Sequence, residues 1–151
     1  MPSDKMLRAS AGAFALLFAL VVASGWMPGW YTYVGHERMQ FGLFMLSPLD
    51  DITHGVTALA ALAAALRSAR VARRFFVTFG SYYALDAIFF LLYGTVNEKP
   101  WPADVALNMP HVLISVAMLS LAYGMPGALW RARDGRRAVG AGQPARATTR
   151  G

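Results

Sequence analysis

Three side chains in this sequence combine chemical capability with an apolar setting: His54 in "DDITHGVTALAAL", Asp86 in "SYYALDAIFFLL" and His111 in "NMPHVLISVAML". Imidazole and carboxylate together can share a proton, pass one on, or hold a metal ion. An ionised carboxylate alone in hydrocarbon costs roughly 3 kcal/mol or more, so Asp86 requires a partner or a proton. The candidates are His54, His111 and the hydroxyls of Tyr82 and Tyr83.

Three chemistries compete for this set. The favoured one is a hydrogen-bonded polar core that fixes helix register. The second is a metal or haem site with His54, His111 and Asp86 as candidate ligands, since imidazole suits zinc, copper and iron. The third is a relay for protons or a small solute. Two histidines and one aspartate make an incomplete ligand set for transition-metal catalysis. The Asp51-x-x-His54 and Asn108-x-x-His111 spacings echo the Glu-x-x-His of di-iron bundles, from which the neutral Asn108 departs. No cofactor is therefore expected.

The elements that must carry these residues are membrane helices. Of 151 residues, 56% are apolar and 15% charged, a balance shifted well away from water-soluble chains. The excess falls in four segments, residues 9–26, 51–67, 74–94 and 108–129, each near the roughly 20 residues that cross a bilayer core. The fold class expected is all-α: an integral membrane four-helix bundle of up-down topology over residues 9–129, preceded by residues 1–8 and followed by a tail, residues 130–151. A cleaved signal peptide is the rival reading of the first segment, because Lys5 and Arg8 precede it and small residues, Ala23, Ser24 and Gly25, follow. Its uncharged length favours retention.

Charge sets the orientation. Of the 14 Lys and Arg, only Arg38 and Lys99 lie outside the N-terminus, the second-to-third connection (Arg67, Arg70, Arg73, Arg74) and the tail. Basic residues near span ends stay cytoplasmic, which places both termini inside and the loops 27–50 and 95–107 outside. The tail has too few large apolar residues to offset ordering entropy and reads as a disordered cytoplasmic segment. Its arginines hold orientation and can rest on anionic headgroups.

The second and fourth segments open alike, Asp51-Ile52-Thr53-His54 against Asn108-Met109-Pro110-His111. This suggests a two-helix unit present twice in parallel orientation. Asp51 and Asn108 are favoured helix N-caps, Pro110 suits a first turn, and each histidine then falls at the third helical position, where a capping box closes.

The pairing of "LFMLSPLDDITHGVTALAAL" with "VALNMPHVLISVAMLSLAYG" resembles a bacterial family of small four-helix membrane proteins classed as a domain of unknown function. The similarity runs over residues 14–124. The family pattern is Asn-x-x-His at the start of helices two and four; Asn108 and His111 match it, and Asp51 replaces the first asparagine beside His54. The resemblance implies the topology and supplies no activity.

Helix rise then gives depth. Counting from Arg67, Arg74 and Gly124 at 1.5 Å per residue, His54 lies about 20 Å up, Asp86 about 18 Å and His111 about 20 Å. His54 shares its face with Thr57, Ala58, Ala61 and Ala65, and His111 shares its face with Asn108, Ser115, Met118 and Ala122. These small residues permit close helix approach, so both faces are expected to point inward. Asp86 shares its stripe with Tyr82, Tyr83 and Phe79. In the outer loop 27–50, Trp30, Tyr31, Tyr33, Phe41 and Phe44 suit the headgroup interface, and His36 reads as a surface histidine.

With no cysteine, disulfides, thiol catalysis and Cys-based metal sites are excluded. No phosphate loop, serine elbow, zinc-protease helix or dinucleotide fingerprint occurs, so an enzyme is the minority reading. The net charge of +6 is a topology signal, and nothing suggests a nucleic-acid surface. Arginine outnumbers lysine twelve to two and alanine is abundant, a composition that suits a bacterial chain in the cytoplasmic membrane. The expected role is structural or partner-binding within the bilayer, with lipid and another membrane chain or a second copy as partners.

Overall fold

The computed structural model describes residues 2–34, 37–45, 47–96 and 101–124. These form four helices, α1 (Asp4–Ser24), α2 (Pro48–Arg67), α3 (Ala69–Val96) and α4 (Trp101–Tyr123). Between α1 and α2 lie three short strands, β1 (Tyr31–Val34), β2 (Glu37–Gln40) and β3 (Phe44–Met45), in an antiparallel sheet of order β1-β2-β3. The basic tail, the end of the fourth expected span and His36 lie outside the described residues.

Local chemistry explains where each helix starts, and it corrects two expected caps. The N-cap of α2 is Ser47, four residues before the expected Asp51. Its Oγ accepts from Asp50 N at 3.3 Å, Asp50 Oδ2 accepts from Ser47 N at 2.8 Å, and Pro48 fills the first helical position. This reciprocal box satisfies two backbone donors at once, so Asp51 is not the cap and is left to pair elsewhere. Asn108 is not a cap either, because α4 begins at Trp101 and passes through Asn108 and Pro110. Pro110 brings no N–H for the carbonyl four residues back, a loss that membrane helices tolerate when their neighbours compensate. The histidines therefore stand well inside their helices, not at a third position.

Helix α3 also starts earlier than expected, since a single residue joins it to α2. Ser68 is the C-cap of α2 and, in extended conformation, the N-cap of α3: its Oγ accepts from Val71 N at 3.3 Å and its carbonyl from Ala72 N at 2.9 Å. Arg67, Arg70, Arg73 and Arg74 are consequently helical. At the same end of the bundle the Arg8 side chain donates to the carbonyls of Ala65 (2.8 Å) and Leu66 (3.4 Å), closing a helix terminus that has no glycine cap. We call this the arginine end and the opposite one the sheet end.

The contacts give the direction of every helix. Arg8 meets Ala65 and Phe18 meets His54, so α1 and α2 are antiparallel; Gly80 meets Met118 and Asp86 meets His111, so α3 and α4 are antiparallel. Phe14 on Phe76 and Phe18 on Tyr83 set α1 parallel to α3. The core joins large rings to small residues: Phe18, Phe76, Tyr83 and Met118 are fully buried beside Ala11, Ala61, Ala64, Ala72 and Ala122. Outward, the helices expose Leu16, Leu20, Leu59, Leu66, Leu85 and Leu113. Apolar surface of that extent needs a hydrocarbon surround. Three helices, α1, α2 and residues Ala69–Tyr93 of α3, are long and apolar enough to cross a membrane, and α4 contributes the shorter apolar stretch Leu107–Tyr123.

The tightest helix approach tests this packing. A Cβ built on Gly80 would lie 3.0 Å from both Met118 Cβ and Leu119 Cγ, whereas one on Gly55 meets nothing within 4 Å. Gly80→Val should therefore force α3 and α4 apart and cost about 1–3 kcal/mol, and Gly55→Ala should be neutral or stabilising. Unfolding of the two variants in detergent checks this; equal losses would refute the close approach.

Candidate functional site

Helices α2, α3 and α4 place their polar residues at one junction. On α3, Tyr83 and Asp86 are three residues apart and so neighbours on the helix surface. Asp86 Oδ2 lies 2.6 Å from Nδ1 of His111 on α4, with the two side chains 20% and 27% exposed. His54 on α2 is buried, and its ring centroid is 6.4 Å from that of His111. The structure thus brings His54, Asp86, His111 and Tyr83 together.

Tyr83 holds the junction. Its ring stacks with Phe18 at 5.4 Å and 14°, and with His54 at 6.5 Å and 13°, while Phe18 stacks on His54 at 5.7 Å. The His111 ring lies 5.4 Å away, tilted by 47°. The hydroxyl is satisfied by a directed chain. Thr57 Oγ1 donates to the Thr53 carbonyl at 2.7 Å, so its only proton is committed, and Tyr83 Oη must be the donor across the 3.1 Å contact with Thr57 Oγ1. Thr57 is itself fully buried.

Of the other expected residues, Tyr82 is not drawn in. It is 45% exposed and lines a shallow outer groove with Ile52, Thr53, Val56 and Phe79. Asp51 ion-pairs with Arg38 of β2, whose guanidinium lies 4.4 Å above the Trp26 ring. Asn108 is buried in mid-helix, one turn before His111.

Sequence reasoning missed the sheet-end clamp. Arg38 and Gln40 are two apart on β2 and so point to the same side. Arg38 reaches Asp51 at the start of α2, and Gln40 Nε2 donates to Ser24 Oγ and to Val21 O (3.3 Å) at the end of α1. The available signal was Arg38 itself: a cation in an apolar outer loop needs a nearby anion, and Asp51 heads the next helix.

The close Asp86–His111 approach places an acid and a base side by side, and among the described residues neither His54 Nδ1 nor His111 Nδ1 has a partner in hydrogen-bonding geometry. Among those residues no three His, Cys, Asp or Glu side chains are gathered so as to hold a metal ion.

Comparison with known proteins returns one relation. The model of a family described as a domain of unknown function (DUF4383) matches residues 8–124. No curated protein and no solved structure matches the chain.

The Asp86–His111 contact predicts different outcomes for two substitutions. Asp86→Asn keeps a hydrogen-bonding group and should leave most of the stability, whereas Asp86→Leu strands the imidazole and should cost about 1–3 kcal/mol. Thermal unfolding of both variants in one detergent is the check, and a leucine variant as stable as wild type would remove the contact from the core.

Proposed function

We propose, for a chain that belongs to the DUF4383 family, that it is a multi-pass protein of the bacterial cytoplasmic membrane whose role within the bilayer is structural or partner-binding. The observation that carries this reading is Tyr83: one fully buried side chain touches Phe18 of α1, His54 and Thr57 of α2 and His111 of α4. Such a node fixes the relative register of all four helices. A rigid apolar bundle suits a scaffold that presents its Leu-rich outer faces to lipid, to a second copy or to another membrane chain. No resident cofactor and no nucleic acid enter this reading.

Orientation follows from charge. Lys5, Arg8, Arg67, Arg70 and Arg74 gather at the arginine end, and the sheet end carries Arg38 already paired with Asp51. The positive-inside rule makes the arginine end cytoplasmic, with both termini inside and all four helices crossing. The parallel arrangement of α1–α2 and α3–α4, each with a histidine in its second helix, supports the two-unit repeat.

Two measurements test these points. A fluorescent reporter after Gly151 should be active in the cytoplasm and a phosphatase within residues 97–100 active outside; an outward C-terminus, or a mature chain starting near Trp26, would sink the topology. For the scaffold role, Tyr83→Ala should lose about 3–5 kcal/mol of stability, and Tyr83→Phe, which keeps the ring, about 1 kcal/mol. Chemical unfolding of the full chain reads both, and a tolerated Tyr83→Ala would show that the node is dispensable.

A further inference from the structure

The junction is polar toward one end of the bundle only. From α1 residue 9 to residue 18, α2 residues 55–66, α3 residues 75–85 and α4 residues 112–123, no acidic, basic or imidazole side chain lies between the junction and the arginine end. That half is filled by rings and small residues. Phe14 meets Phe76 edge-on at 5.7 Å, Phe75 packs on Phe79 at 5.0 Å, and Phe76, Met118, Ala61 and Ala64 are fully buried. Toward the sheet end the side chains are different in kind: Asp50 and Asp51 precede His54 by four and three residues and so share its side of α2.

We infer that His54, Asp86 and His111 form a proton-exchange site that opens to the sheet end of the bundle and is closed to the arginine end. Asp86 Oδ2 and His111 Nδ1 stand 2.6 Å apart, near enough for one proton to pass between them, and His111 Nδ1 makes no other contact of hydrogen-bonding geometry among the described residues. His54, whose buried Nδ1 has no hydrogen-bond partner among the described residues, takes a proton from the sheet-end solvent at one ring nitrogen and releases one from the other. The bond made at the first nitrogen is matched by the bond broken at the second, so no charge accumulates on the ring. Its 6.4 Å ring-to-ring separation from His111 suits transfer through one intervening hydroxyl or water. The groups that face this site are Asp50 and Asp51 from α2, Tyr83 and Asp86 from α3 and His111 from α4, with Tyr82 beside them on the outer surface of α3. Helix α1 presents the Phe18 ring, and β2 presents Arg38, already paired with Asp51.

A chain with three histidines and no cysteine is well suited to the test. In liposomes, the full chain carrying 15N-labelled histidine should show the His54 ring exchanging between its two neutral tautomers, and a His111 Nδ1 resonance displaced by its contact with Asp86. Asp86→Asn should move that His111 resonance. A single fixed tautomer at His54, or a His111 resonance indifferent to Asp86→Asn, would overturn the exchange. For sidedness, His111→Cys should react with a membrane-impermeant thiol reagent from the side that labels Thr32→Cys, an exposed position in β1. Labelling from the opposite side, from both or from neither would overturn the opening. If His111→Cys does not fold, the near-isosteric Ser115→Cys, one turn nearer the arginine end, should stay unlabelled from that end, and its labelling there would refute the seal. A purely structural junction predicts a single fixed tautomer at His54, so failure here leaves the scaffold reading to its own stability tests.

Discussion

The bundle depends on keeping one phenol satisfied in a setting without water. Tyr83 is large, fully buried and placed where all four helices meet, and an unpaired hydroxyl there would cost more than its ring contacts return. The solution uses the α2 backbone itself: Tyr83 donates to Thr57, and Thr57 to the carbonyl of Thr53. That chain sets the height of α3 against α2, and a slip by one turn would break it. With Tyr83 fixed, Asp86 is carried one turn further, to the level of His111, and Phe18 closes the stack from α1. Helix register, the acid–base contact and the aromatic stack are thus consequences of one hydrogen-bonded side chain.

Small residues make this geometry reachable. In lipid there is no apolar driving force between helices, so association relies on close van der Waals fit. Gly80 lets α3 approach Met118 and Leu119, whereas a Cβ on Gly12 would reach only ordinary contact with Ala65, at 3.9 Å, between α1 and α2. Leucines point outward on the same helices. The hydrophobic pattern is therefore inverted relative to a water-soluble bundle: bulk faces solvent, which here is hydrocarbon, and the interior selects for size and for matched polar groups.

Much of the helical part was legible in the sequence because it rests on two robust quantities, mean hydropathy and helix rise. Uncharged runs mark the helices of a membrane bundle, and a rise of about 1.5 Å per residue places His54, Asp86 and His111 at similar heights without any knowledge of packing. Helix starts were less legible, since several residues compete for the same role. Asp51 and Asn108 have good capping chemistry, but Ser47 with Pro48 and Asp50 offers a complete reciprocal box, and Asn108 lies beside a proline that imitates a helix start inside a continuous helix. The sheet was hidden for another reason. Its strands are two to four residues long, and their aromatic content matches a membrane interface as well as a strand. Tyr82 and Tyr83 are adjacent and chemically alike, so only packing distinguishes the buried node from its exposed neighbour.

The sheet finally makes sense of an asymmetry between the two histidine helices. Three residues before each histidine stands a polar residue, charged in α2 (Asp51) and neutral in α4 (Asn108). An amide is satisfied by ordinary hydrogen bonds, whereas a carboxylate held in a nearly buried site needs a cation. The inserted strands deliver it: β2 carries Arg38 to Asp51, Trp26 covers the guanidinium, and Gln40 pins the same strand to Ser24 at the end of α1. Asp51 and the sheet therefore form one device, in which the charge that an N-terminal helix turn tolerates is used to fasten the only described non-helical layer onto the bundle. The fourth helix, with asparagine at the matching place, requires no such cover, which is consistent with the greater exposure of His111 than of His54.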